Sequence, residues 1–285
     1  GDGAAPPLRI DAPARALAFA PDGQRLAIGA ADGAVRIVSV ADGATLQRFA
    51  AHPGGVTAIA FGTGGDTVAT GSAHGEVALW QAATGQALLR AAFARTVVGL
   101  DFNRDGSSAL AKWSLAATDA AGTVHLIDVD PDRWHRPVQP PSTLTLDAAG
   151  AAPGVAARFT ASGRCLARAA ADGSVAVVTV FDGQRLLTLA PGTAASAPTV
   201  ALATAQTRRF ASLDAAGRIA AYEQPLCGDA EAVCAFARGR LARGPAPEQW
   251  RRWIPKGFDL KADVRQPPVK GGACEALINK VLTPP

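Results

Sequence analysis

A glycine-closed tight turn recurs five times along the 285 residues, at Gly33, Gly75, Gly122, Gly173 and Gly217, and each turn is followed by an alternating apolar stretch. The gaps are 42, 47, 51 and 44 residues, so one structural unit is repeated. Two further landmarks keep step with the glycine. Five residues after it stands a large apolar or aromatic residue: Val38, Trp80, Ile127, Val178 or Tyr222. Fourteen residues before it stand Phe19, Phe61 and Phe159, with Ala203 in the fifth unit; Phe102 lies twenty before Gly122, which implies a six-residue insertion in the third unit. A second turn falls between these markers, as Pro21-Asp22-Gly23, Gly64-Gly65-Asp66, Arg104-Asp105-Gly106 and Ala161-Ser162-Gly163. The unit reads strand, turn, strand, turn, strand, with a fourth strand carrying the chain onward.

The apolar period inside each unit is 2, as in AVRIVSV (34–40), EVALW (76–80), TVHLIDV (123–129) and SVAVVTV (174–180). Such alternation suits strands with one buried face, and the β-branched residues favour it further. A four-stranded unit of about 40 residues cannot bury its own apolar face, so the copies must stack, and radial stacking gives a propeller. The expectation is an all-β propeller of five four-stranded blades, with repeats at about 13–52, 53–94, 95–152, 153–192 and 193–225. The segment 7–10 reads as a fourth strand without its first three, and the last repeat ends at Tyr222 without its fourth. Residues 7–10 are therefore expected to complete the last blade, which removes exposed edges. The alternative is a ring of seven with two blades lost.

The second unit resembles the WD repeat. Ala51-His52 precedes VTAIAFGTGGDTVATGS, then His74-Gly75, then EVALW ending at Trp80. That family links His, Ser or Thr, Asp and Trp within a blade, and the resemblance places His52, Thr70 and Trp80 in those roles. The aspartate position holds His74, which leaves this set without its carboxylate. Asp32 and Asp172 keep the aspartate in the first and fourth units, where Val38 and Val178 replace the tryptophan. The resemblance covers about residues 6–223 and implies a non-enzymatic interaction module.

Charge divides the chain at residue 225. Residues 1–225 hold 18 basic and 18 acidic side chains, whereas 226–285 hold 10 and 6. A neutral propeller argues against a nucleic-acid channel, which needs a basic stripe to replace phosphate counterions. No run of 18 apolar residues signals a transmembrane helix. The chain opens at Gly1 and contains no methionine, which fits a fragment of a larger protein. A cytoplasmic location is expected, or a periplasmic or secreted one if a signal peptide was removed.

From Asp229 to Arg243 the tail is helical in composition, and Gly244-Pro245 stops it. Pro247 opens a second short helix carrying Trp250 and Trp253 on one face. The tail, 226–285, is expected to pack on the propeller. Its order of Val233-Cys234, then Pro247-Glu248-Gln249-Trp250, then Cys274 resembles the segment that follows the last blade in bacterial proteins joining WD repeats to a signalling NTPase or protease. This implies a sensor or docking end with an N-terminal effector domain linked to it.

Of four cysteines, Cys165 falls in a predicted strand as a small buried residue. The other three cluster in the tail, where Cys234 with Cys274, or Cys227 with Cys274, could form a staple. No Cys-x-x-Cys spacing marks a zinc site. Asp128, Asp130 and Asp132 alternate as in a calcium loop, but no Gly or closing Glu follows, so no metal is expected. No nucleophile elbow, phosphate-binding loop or zincin helix occurs, so no catalytic residue and no cofactor is expected. A small propeller lectin or glycosidase using the central channel is the other class considered; it needs carboxylates converging from several blades, and no acidic position repeats.

Departures from the regular unit mark the loops expected to recognise a protein or peptide partner. They hold Trp113 in the third unit and Trp134, His135 and Arg136 in the link that follows; His52 and Arg95 complete the candidate set. Trp and Arg are the residues that most often anchor interfaces. No nucleic-acid or membrane partner is expected.

Overall fold

Each glycine landmark falls between the second and third strands of an antiparallel sheet. The structure, a computed structural model, describes residues 13–103, 115–129, 143–146, 154–160, 163, 165–172, 174–180, 185–189, 199–204, 209–214 and 219–223. The first sheet comprises β1 (Ala14–Phe19), β2 (Arg25–Ala30), β3 (Ala34–Ser39) and β4 (Thr45–Ala50). The second comprises β5 (Val56–Phe61), β6 (Thr67–Ser72), β7 (Glu76–Gln81) and β8 (Ala87–Ala92). The third holds β9 (Val97–Phe102), β10 (Leu115–Asp119), β11 (Val124–Ile127) and β12 (Thr143–Leu146). The fourth holds β13 (Gly154–Phe159), β14 (Cys165–Ala170), β15 (Val175–Thr179) and β16 (Arg185–Leu189). The fifth holds β17 (Thr199–Thr204), β18 (Arg209–Asp214) and β19 (Ile219–Glu223), three strands among the described residues. Every sheet is a meander in chain order. The first strands β1, β5, β9, β13 and β17 lie side by side in succession, so the sheets are arranged as the blades of an all-β propeller.

Register explains why the two outer landmarks keep step. Phe61 and Trp80 both pair with Val68, Phe102 and Ile127 both pair with Leu115, and Phe159 and Val178 both pair with Leu166. The two landmarks are thus the flanks of one row across the second strand, on one face of the sheet. In the fifth sheet the row is Thr204, Phe210 and Tyr222, one residue later than the expected Ala203, because one residue fewer lies between Thr204 and Tyr222 than between Phe159 and Val178.

The core sits between blades. Ala27, Val35 and Ile37 of the first sheet pack with Ile59, Phe61, Val68 and Trp80 of the second. Ala58, Ala69, Val77 and Leu79 on the opposite face of the second sheet pack with Leu100, Phe102 and Leu115 of the third, and a like cluster joins Leu126 to Phe159 and Leu166 of the fourth. The inner strand β5 is thereby buried or half-buried on both faces, whereas β1 and the fourth strands β4 and β8 alternate exposed with partly buried residues.

Cys165 is buried at the start of β14, as expected, but it is not a free thiol: it is disulfide-bonded. Its partner, the closing segment 7–10, the tail 226–285 and the Cys234–Cys274 pairing all fall outside the described residues.

Candidate functional site

The glycine turns organise one rim of the propeller. Gly33 and Gly75 have φ of 83° and 85°, in the left-handed region that glycine tolerates. Their carbonyls then hold the chain that leads into the next blade: Ala51 and His52 donate their amides to Gly33 O, at 2.8 and 3.2 Å, and Phe93 donates to Gly75 O at 2.9 Å. In the third sheet the Gly122 carbonyl accepts 2.6 Å from the buried Arg168 Nε, a side chain of the next blade. In the first four units a polar residue before or within the turn fixes its shape. Asp32 Oδ1 accepts from Ala34 N and Asp172 Oδ1 from Ser174 N. The Ser174 hydroxyl and amide hold the Asp172 carboxyl below the ordinary value. Ser72 Oγ serves His74 and Glu76, and Asp119 Oδ1 serves Ala121 and Thr123.

Behind this rim, the second blade has a buried polar chain. Trp80 Nε1 donates to Thr70 Oγ1 at 2.8 Å, and Thr70 Oγ1 lies 2.8 Å from His52 Nε2. His52 Nδ1 lies 3.1 Å from Glu76 Oε2. A carboxylate only accepts, so Nδ1 carries the proton toward Glu76; in the neutral ring Nε2 then accepts the Thr70 hydroxyl proton. All donors point the same way along Trp80, Thr70 and His52. The carboxylate expected to be missing is therefore supplied by Glu76, two residues beyond the position occupied by His74. Sequence spacing hides this because Glu76 is the first residue of β7 rather than part of the turn.

Of the candidate recognition residues, His52 and Arg95 are described. His52 offers nothing to a partner, since its ring is buried and both nitrogens are engaged within the blade. Arg95 is exposed, with Nη1 3.9 Å from Asp119 Oδ2. It lies between β8 and β9 on the glycine-turn rim. Trp113, Trp134, His135 and Arg136 fall outside the described residues.

Next to Arg95, sequence reasoning missed a second polar cluster. His125 stacks on Phe93, with ring centroids 4.0 Å apart and planes 19° apart, and its Nε2 is 3.4 Å from Asp119 Oδ2. Burial pushes the imidazole below the ordinary value of 6.5, and the pull of the Asp119 carboxylate does not offset it; Arg95 adds to the lowering. The unfolded ring therefore binds its proton at a higher pH than the folded one. Stability from this site is complete above about pH 6.5 and falls as pH drops through the window below it. Replacing His125 by Phe, which keeps the stack, is expected to flatten the Tm-against-pH curve in that window. An unchanged curve would assign the slope to other groups. Among the described residues no three His, Cys, Asp or Glu side chains group as metal ligands, and no helix is long and apolar enough to cross a membrane.

Residues 6–64, about a fifth of the chain, match the family model of the anaphase-promoting complex subunit 4 WD40 domain. The β-propeller domain of Cps50 (Swd1) from Myceliophteria thermophila superposes with a TM-score of 0.64 at 17% sequence identity, over 76% of this chain and 67% of that one. No curated protein gives a significant sequence match. With the five meander sheets, the structural likeness defines the fold as a β-propeller, and the WD40 match covers residues 6–64.

Proposed function

We propose that this chain is a non-enzymatic interaction module that docks a protein or peptide partner on the glycine-turn rim, as the sensing or scaffolding end of a larger bacterial protein. The observation that carries the reading is the rigidity of that rim. Its turns are fixed by glycine, by side-chain caps and by carbonyls bonded to the next blade, while Arg95 and His74 stand exposed on it. A preorganised surface loses little freedom on binding. The resemblance of the tail to the segment after the last blade of NTPase- or protease-linked proteins supports the placement in a larger chain. The Cys165 disulfide favours an oxidising compartment over the cytoplasm expected from the sequence.

A photo-crosslinking residue placed at position 95 or 74 of the full-length protein in its native cell tests the assignment. Both are expected to trap the same partner, while a residue at Thr45 on the outer strand β4 traps none of it. Arg95→Ala is expected to weaken that capture by about tenfold, a loss of about 1.4 kcal/mol, with Tm unchanged. Equal capture from position 45 would overturn the rim as the docking site.

A further inference from the structure

We propose that the disulfide partner of Cys165 is Cys227, so that one covalent bond clasps the fourth blade to the chain leaving the fifth. Cys165 is disulfide-bonded, and the other cysteines of the sequence, Cys227, Cys234 and Cys274, all lie beyond β19. Within one chain, the bond must join β14 to the segment that follows β19. Two features of the register choose among the three. The first is the face. Leu166 packs with Phe159 and with Leu126 of the third sheet, so Cys165, one residue earlier on the strand, is on the opposite face, the side on which β14 meets β17 of the fifth sheet. Cys165 is 1% exposed there. The second is the end of the strand. Cys165 opposes Thr179 at the close of β15, and in the fifth sheet Arg209 opposes Glu223 at the close of β19. The chain thus leaves β19 at the end of the propeller where Cys165 stands, in the sheet that Cys165 faces.

Reach then favours the nearest cysteine. Packed sheets lie about 10 Å apart and neighbouring strands about 4.8 Å apart. The four residues from Glu223 to Cys227 span up to about 14 Å, and a disulfide adds about 5.5 Å between Cα atoms. Cys227 needs no further chain to arrive, whereas Cys234 and Cys274 lie farther along a chain that has already passed this point. The pairing also decides an alternative that the sequence leaves open, since it leaves Cys234 and Cys274 for each other. A bond here closes residues 165–227 into one loop containing β14 to β19, so the last two blades cannot separate while it is intact. Forming it removes two electrons and two protons from the thiols; exchange with a thiol–disulfide oxidoreductase accounts for them, its own disulfide opening to two thiols as the new S–S bond forms. A sulfur this buried meets a reductant only when the blade opens, which makes the bond a structural clasp rather than a switch.

The bond lies at the sheet end away from Arg95, so capture of a partner from position 95 and the presence of the clasp are decided separately. The test uses the full chain, purified without reductant and unfolded in N-ethylmaleimide to cap any free thiol. Digestion with trypsin and endoproteinase Asp-N cuts after Arg164 and before Asp229, which places Cys165, Cys227 and Cys234 on different peptides. Mass spectrometry is expected to find the Cys165 peptide joined to the one ending at Gly228, and to find the two apart after reduction with dithiothreitol. Cys227→Ser is expected to leave Cys165 as a thiol that maleimide caps only once the protein is unfolded, and to lower Tm by about 10 °C, the effect of opening a loop of this length. A capped Cys165 in the wild-type chain, a bond from it to Cys234, to Cys274 or to a second chain, or an unchanged Tm in Cys227→Ser would overturn the proposal. The peptide mapping needs no variant, so it decides the pairing even where Cys227→Ser fails to fold.

Discussion

Gly75→Ala is expected to destabilise the propeller by about 3 kcal/mol or more, read as a lower denaturation midpoint at unchanged m-value. Two costs add. A residue with a Cβ is strained at φ 85°, which costs about 1–2 kcal/mol for the left-handed backbone. The new Cβ would also collide with the Phe93 carbonyl oxygen and lie 2.7 Å from that of Arg95. Relief requires the link between the second and third blades to move, and that strains the Phe93 N to Gly75 O bond, worth about 1 kcal/mol. Gly64→Ala is the control. Gly64 has no positive φ, and a Cβ there meets only Asp66 Oδ2, at 3.6 Å, so a change within about 0.5 kcal/mol is expected. Equal losses at the two positions would show that Gly75 matters only as a flexible residue.

The same geometry explains how much could be read from the residues. Glycine at the turn, phenylalanine before it and a large residue after it are fixed by local backbone needs and by one cross-strand row, so the sheets could be placed from spacing. What spacing could not show are contacts made by long side chains between units. Arg168 stands in β14 where Thr70 stands in β6, yet its guanidinium reaches Gly122 O of the preceding blade. Glu76 restores a carboxylate to His52 from outside the position where the resemblance requires one.

Coupling between blades is carried differently along the arc. At the first seam Phe49 of β4 packs on Trp80, with ring centroids 4.9 Å apart and planes 36° apart. Thr57 Oγ1 donates to Val97 O at 2.6 Å across the second seam. At the third, Asp101 Oδ2 accepts from Phe159 N at 2.7 Å, and Arg158 Nη1 donates to Leu100 O at 3.3 Å. Apolar burial alone does not specify the angle between two sheets, whereas directed bonds to a neighbour's backbone do. The polar residues at the seams therefore set how each blade is aimed, and with it the spacing of the exposed rim residues.

Within the second blade that aiming depends on Thr70. Thr70→Val keeps the shape and removes the hydroxyl, which leaves the buried Trp80 N–H without an acceptor and His52 Nε2 without its donor. Each orphaned group costs about 1–3 kcal/mol, so the variant is expected to lose about 3 kcal/mol in total. Thr70→Ser retains the hydroxyl and is expected to lose only the methyl's contribution, about 1 kcal/mol. Glu76 is partly exposed, and Glu76→Ala is expected to cost less than about 1 kcal/mol. If the three groups act as one chain, Thr70→Val and His52→Ala will not add, because the first already disconnects the second. Additive losses in that double-mutant cycle, measured by denaturant unfolding, would mean that Thr70 supports Trp80 independently and that the histidine serves only to fill space.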